Sequence, residues 1–229
     1  MSIGYPILLD VTRLRVLIVG GGAVAARKAA GLLASGASDV RAVAPAFCEE
    51  FPGGVQRIVG RFEPHLFDGI DLVFAATDDP AVNDEVTLEA HRRRVRINRA
   101  DGSDQHNGDF TVPAVLRRGA ITVAVSTAGS PALAATLRDQ LAEALSPQWT
   151  ELANLLPVVR GLILSANLLA SRRSEIFHDL ASEGAATALL DGGATGFWKW
   201  AQWRHAELAN LDLHAAMESA AQADAKGPR

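Results

Sequence analysis

The sequence predicts an α/β chain. A mostly parallel sheet with helices on both faces comes first, a β-hairpin comes next, and the remainder is helical. Three observations carry this. Apolar, β-favouring runs at 15–19, 39–44, 71–76 and 95–98 alternate with helical stretches at 23–35 and 83–93, and such alternation winds helices over a parallel sheet. Two extended runs, 111–116 and 120–126, surround Arg117-Arg118-Gly119, which is a hairpin pattern. From Pro147 onward the chain reads as helix.

Residues 7–10 read as a short strand, with Asp10 to Arg13 as a turn. Gly36 stops the first helix, and Pro45 ends the strand 39–44. A weak strand at 55–59 precedes Gly60-Arg61-Phe62. Ser130 suits an N-cap and Pro131 a first helical position, so a helix runs from there to about Leu145. Gly192-Gly193 and Thr195-Gly196 separate two later helical blocks, and a tail from Gln222 is expected to be disordered. Leu152 to Ala170 is apolar but holds Asn154, Pro157, Arg160 and Asn167. A charge in mid-membrane is costly, so this is expected to be a buried or interface helix. The expected organisation is 1–111, a nucleotide domain; 112–146, hairpin and helix; and 147–229, helical.

The 229 residues carry a formal net charge of -4 and one cysteine, Cys48. That balance argues against a general nucleic-acid binder. One cysteine allows no intrachain disulfide and no cysteine cluster for a metal. A reducing cytoplasm fits, and no signal peptide is recognisable. The histidines at 65, 91, 106, 178, 205 and 214 show no metal-ligand spacing, so no resident metal is expected.

The functional signal is Arg15-Val-Leu-Ile-Val-Gly20-Gly21-Gly22-Ala23-Val24-Ala25. Strand, tight turn and helix in that order set a dinucleotide pyrophosphate on a helix N-terminus. Gly20, Gly22 and Ala25 occupy the three positions of G-x-G-x-x-A. Gly20 allows the turn, Gly22 lets backbone approach the phosphates, and Ala25 permits close helix–strand packing. Gly20, Gly22, Ala23 and Val24 are therefore cofactor-binding candidates; the alternative is a plain glycine-rich turn. The second strand ends Val43-Ala44-Pro45, without the carboxylate that often holds a ribose. Glu49 and Glu50 lie past the turn and Arg41 lies inside the strand, so the residues do not decide between NAD and NADP. Ala44, Pro45 and Thr77, at strand ends, are further cofactor contacts. Asp78-Asp79-Pro80 reads equally as a turn and helix start.

Several segments together resemble the precorrin-2 dehydrogenase family, which forms the N-terminal module of siroheme synthases. They are Gly20-Gly-Gly-Ala-Val-Ala-Ala-Arg-Lys28, Val43-Ala-Pro45, Gly60-Arg-Phe62, Ala75-Ala-Thr-Asp-Asp79 with Asn83, Asn98-Arg-Ala-Asp101, Phe110-Thr-Val-Pro113, Val123-Ala-Val-Ser-Thr127 and Ser130-Pro-Ala-Leu-Ala134. The resemblance covers roughly residues 6–146. It implies oxidation of precorrin-2 to sirohydrochlorin, with hydride passing to NAD+ and protons lost. Some members also insert a metal as sirohydrochlorin ferrochelatases, with Fe2+ or Co2+ as substrate. It further implies that Asp101 is the catalytic carboxylate, and that Asn98, Arg99, Ser126 and Thr127 face the tetrapyrrole. A carboxylate just past a strand's C-terminal end is well placed to accept a proton; the other reading of Asp101-Gly102 is a turn.

Two departures from the family stand out. The segment 101–109 is about two residues longer, placing Asp104, His106 and Asp109 in an unusual polar loop. The turn 126–131 is one residue shorter. A substrate with eight carboxylates calls for a basic site. Of Arg92, Arg93, Arg94, Arg96, Arg99, Arg117 and Arg118, Arg99 is the leading candidate. Arg92 to Arg94 suit a helix C-terminus, and Arg117 and Arg118 suit the hairpin turn. The apolar segments 121–145 and 152–170 exceed what one such sheet needs, so a homodimer with 112–146 as its dimerisation segment is expected, as the family also implies. The methyltransferase module of fused siroheme synthases is not recognisable here, so methylation is expected of another protein. The competing readings are a non-catalytic dinucleotide-sensing domain and a chelatase that has lost oxidation.

Overall fold

A computed structural model describes residues 4–100, 108–127 and 129–225. The chain divides between Val112 and Pro113 into two compact units.

In the first unit the order is β1 (Arg15–Val19), α1 (Ala23–Leu33), β2 (Asp39–Ala44), β3 (Gln56–Val59), a 3-10 turn (Pro64–Phe67), β4 (Leu72–Ala75), α2 (Pro80–Arg93) and β5 (Arg96–Arg99). The five strands form one parallel sheet, ordered β3-β2-β1-β4-β5. Both faces are covered, which is why the central strands read as unbroken apolar runs. Val16, Ile18, Val40, Ala42, Leu72 and Phe74 pack with Ala25, Ala29 and Leu32 of α1. Leu17, Val19, Val43, Val73 and Ala75 pack with Phe67 and with Val86 and Ala90 of α2. Each fully buried aliphatic side chain contributes about 1.5–3 kcal/mol.

Residues 7–10 form no strand, contrary to the sequence expectation. β1, the next strand along the chain, already has β2 on one side and β4 on the other, so residues 7–10 cannot pair with it, and Ile7, Leu8 and Leu9 are exposed. The helix α2 starts three residues before Asn83. Asp79 caps it, its Oδ1 accepting from Ala81 N at 2.9 Å, and Pro80 comes next. Asp79-Pro80 is thus the helix start that the sequence left open beside a turn.

The second unit opens with β6 (Ala114–Arg118) and β7 (Ile121–Val125), an antiparallel pair in the register Ala114↔Val125 to Arg118↔Ile121. The turn is Gly119-Ala120, not Arg117-Arg118-Gly119. Gly119 supplies the positive φ (52°) that a two-residue hairpin turn needs. The helices α3 (Pro131–Ala144), α4 (Pro147–Ser165), α5 (Ala170–Leu180), α6 (Glu183–Arg204) and α7 (Leu213–Ala225) complete the unit, with a 3-10 turn at Ala206–Leu208. Ser130 Oγ caps α3 by accepting from Leu133 N. Leu152, Leu155, Val159 and Ile163 form one face of α4 and pack with Ile176, Leu180, Leu189, Phe197 and Trp198. The segment 152–170 therefore includes a buried helical face, and no described helix is long and apolar enough to cross a membrane. α6 is broken at Gly193 (φ 59°, ψ -161°), inside the glycine-rich break expected from the sequence. α7 continues to Ala225, past the residue 222 at which order was expected to end.

Candidate functional site

The glycine turn lies at the edge of the first unit's sheet where the strands end. Gly20 has φ 136°, and a Cβ on it would stand 2.3 Å from Ala76 O. A Cβ on Gly21 would stand 2.0 Å from Ala46 O and 2.7 Å from the Ala44 Cβ. At Gly22 a Cβ would meet no atom within 4 Å. The first two glycines are therefore demanded by the protein's own packing. The third leaves open space over the helix N-terminus. The turn is pinned by Gly20 N donating to Val43 O (2.9 Å) and Cys48 N to Gly21 O (2.8 Å).

α1 begins at this turn with Gly22 as its N-cap. It has no side-chain cap and no acidic residue in its first turn. The amides of Ala23 and Val24 belong to a helix's first turn, where N–H groups have no intrahelical acceptor. Gly22 and Ala23 are exposed, and Val24 half-buried. This end thus offers backbone donors and the positive end of a helix dipole to an anion. Ala25 is fully buried against the sheet, as its place in the motif requires. The residues present fit a dinucleotide pyrophosphate. At the end of β2, Ala44 is buried and Pro45 exposed.

Beside the turn, the chain leaving β4 is locked by Asn83, which is 0% exposed. Thr77 N donates to Asn83 Oδ1 at 3.2 Å, and Asn83 Nδ2 donates back to Thr77 O at 3.1 Å. The Thr77 hydroxyl lies 2.8 Å from Asn83 Oδ1 and accepts from Asp79 N at 3.2 Å. Thr77 is thus half-buried and held in place at the ligand edge. Gly21 and Asn83 are the positions whose roles sequence reasoning missed. The third consecutive glycine was the available signal for Gly21. Asn83 appeared only as a family match, because its work depends on tertiary contacts.

The end of β5 is also fixed. Asn98 is 4% exposed; its Nδ2 donates to Phe110 O at 2.8 Å, while its Oδ1 has no hydrogen-bond partner among the described residues. Arg99 lies in β5 itself, not on the loop beyond it, because the ladder with β4 extends to Ala75↔Arg99. Its side chain is buried and ion-paired with Asp84 of α2. Asp109 N donates to Ile97 O (2.7 Å), and Asp109 Oδ2 accepts from Ile97 N (3.1 Å). A Cβ on Gly108 (φ 75°) would stand 2.3 Å from Ile97 O. The returning chain is thereby stitched onto β5. Asp101, Asp104 and His106 lie outside the described residues.

Of the remaining candidates, Ser126 and Thr127 come directly after β7 in the second unit. Thr127 Oγ1 donates to Ser130 O at 2.5 Å, and Ser126 is exposed. Arg92 and Arg93 are engaged by Glu89, and Arg93 also by Asp68. Hydrogen bonds from Arg92 and then Arg93 hold the Glu89 carboxyl down at about 2. Arg118 Nη1 donates to Leu145 O at 2.7 Å. Among the described residues no group of three His, Cys, Asp or Glu side chains is placed to hold a metal.

A parallel sheet with this open, glycine-built turn at the end of its first strand defines a dinucleotide-binding unit. A family model described as "Putative NAD(P)-binding" matches residues 7–114. Siroheme synthase of Photorhabdus laumondii is 36% identical over 194 residues, covering 82% of this chain and 40% of that protein. Siroheme synthase of Photobacterium profundum is 42% identical over 149 residues, 62% of this chain and 31% of that protein. The structure of SirC, precorrin-2 dehydrogenase, matches with a TM-score of 0.70 at 26% identity, over 87% of this chain and 99% of that one. Over the matched lengths the chain is similar to siroheme synthases and to a precorrin-2 dehydrogenase. It spans about two fifths or less of the length of these siroheme synthase relatives.

Proposed function

We propose that this protein oxidises precorrin-2 to sirohydrochlorin with NAD+ as electron acceptor. The observation that carries the reading is the open N-terminus of α1 at Gly22, in a chain whose relatives are named siroheme synthase and precorrin-2 dehydrogenase. The backbone around Gly20, Gly22, Ala23 and Val24 would hold the pyrophosphate, with Ala44, Pro45 and Thr77 beside it. NAD+ when bound supplies a two-electron acceptor. The chain's own tasks are orientation and proton removal. Asp101 follows Ala100 in sequence, and the Ala100 N–H donates to Ala75 O at 2.9 Å. The role of Asp101 is to take a proton from the macrocycle as the electron pair leaves. Asn98, Arg99, Ser126 and Thr127 are the proposed tetrapyrrole-side residues. For Asn98 and Arg99, burial makes that role one of shaping the strand end.

The test is an anaerobic assay with precorrin-2 and NAD+, following sirohydrochlorin and NADH absorbance. Asp101→Ala is expected to fold and bind NAD+ but to lose about 100-fold or more in turnover, the scale of general base catalysis. Near-normal turnover by that variant removes Asp101 from the mechanism. Binding without turnover in the wild type would leave a dinucleotide sensor instead. Fe2+ or Co2+ added to sirohydrochlorin tests metal insertion as a second activity, with the metal as substrate. A homodimer is part of the proposal, as is a cytoplasmic setting, which suits the unpaired Cys48.

A further inference from the structure

The first unit carries a second concave feature, at the edge of its sheet where the strands begin. A depression of about 290 Å3 is lined by His91, Arg94, Val95, Arg96 and Asp109. Its arginines differ from their neighbours. Arg92 and Arg93 are consumed by Glu89 and Asp68, whereas Arg94 and Arg96 are exposed and form no ion pair among the described residues. The one carboxylate in the lining, Asp109, lies 3.8 Å from His91 Nε2, and its Oδ2 is already held by Ile97 N. The balance of charge is cationic.

The backbone of Arg94 points the same way. Arg94 has φ 59° and ψ 32°, and among the described residues no other non-glycine has a positive φ. It closes α2 with two hydrogen bonds, Arg94 N to His91 O (3.1 Å) and Val95 N to Ala90 O (2.9 Å). The residue at this point of such a helix ending is ordinarily glycine, and a side chain there strains the backbone. The arginine brings a charge to the depression at the expense of local stability.

We propose that this depression binds a small multivalent oxyanion, of the phosphate or polycarboxylate type, gripped by the guanidinium groups of Arg94 and Arg96 with His91 as a third donor. Planar guanidinium forks match the paired oxygens of either class. The site lies at the opposite edge of the sheet from the glycine turn, so it needs neither NAD nor the tetrapyrrole reading. The experiment is thermal denaturation and calorimetric titration of the full chain with inorganic phosphate and with citrate, at ionic strength fixed by chloride. A saturable rise in Tm and a saturable heat beyond the chloride control are expected. A response to phosphate or to citrate identifies the class. The variant carrying Arg94→Gly and Arg96→Gln is expected to lose both signals and keep its NAD+ affinity. Arg94→Gly alone is expected to raise the ligand-free Tm by about 2–4 °C as the strain is relieved, and to weaken the oxyanion about tenfold. No saturable response beyond chloride, or an equal response in the double variant, overturns the proposal.

Discussion

Three glycines in a row do two different jobs, and only contacts tell them apart. The spacing G-x-G-x-x-A assigns roles to Gly20 and Gly22 and treats Gly21 as filler. In the fold Gly21 is the tightest of the three, with Ala46 O at 2.0 Å from where its Cβ would stand. Gly21→Ala is therefore expected to destabilise the protein by about 3 kcal/mol, at the upper end of overpacking costs, measured by denaturant unfolding. Gly22→Ala meets open space and is expected to change stability by about 0.5 kcal/mol or less. A methyl there stands where a pyrophosphate would approach, so NAD+ affinity is expected to fall about tenfold or more by titration calorimetry. Unchanged NAD+ affinity in Gly22→Ala would separate the turn from the cofactor. The same limit of legibility holds at Asn98 and Arg99. The family resemblance and closeness to Asp101 suggested groups facing a ligand, but β5 extends through Arg99 and both side chains are buried, and ladder length is settled by the neighbouring strand.

At the level of elements, strands were legible wherever both faces are buried, since β1, β2 and β4 are apolar throughout most of their length. Residues 7–10 have the same look and form no strand, because strand formation needs a free neighbour and composition does not report one. In the second unit, an ionic knot that no sequence pattern disclosed joins α5 to the end of α6. Arg172 Nη2 donates to His205 Nδ1 (3.3 Å), which leaves the His205 Nε2–H to donate to Asp179 Oδ2 (2.9 Å). Arg204 Nη2 also donates to Asp179, at 2.9 Å. Hydrogen bonding from Arg204, and then from His205, lowers the Asp179 pKa below 3.8. A carboxylate with a depressed folded pKa adds stability above its unfolded value, and that stability is lost as pH falls through the folded value. Asp179→Asn is thus expected to lower stability at pH 7 by about 1 kcal/mol, discounted for partial exposure. The difference from wild type is expected to shrink below about pH 4 in acid-titrated circular dichroism. A difference that stays constant down to about pH 2 would remove Asp179 from the acid response.

For the whole molecule, the sequence divides the chain into three parts, 1–111, 112–146 and 147–229, whereas the contacts divide it once, between Val112 and Pro113. The face that each helix leaves uncovered was not legible, because it depends on tertiary packing. α3 packs against β6 and β7, yet of its own residues Ala134 alone is buried. Leu133, Leu137 and Leu141, spaced four apart, remain 49%, 37% and 46% exposed. Residues so spaced form one stripe along a helix, and an apolar stripe of this kind marks an association surface. A second copy of the chain is the occupant we expect, since a two-fold contact lets the same stripe meet itself. Light scattering at micromolar concentration should then give twice the chain mass of 24.2 kDa. Leu137→Glu with Leu141→Glu places like charges across that contact, and should give the monomer mass with helix content retained. A wild type that scatters as a monomer, or a double variant that still scatters as a dimer, would move the association surface off α3.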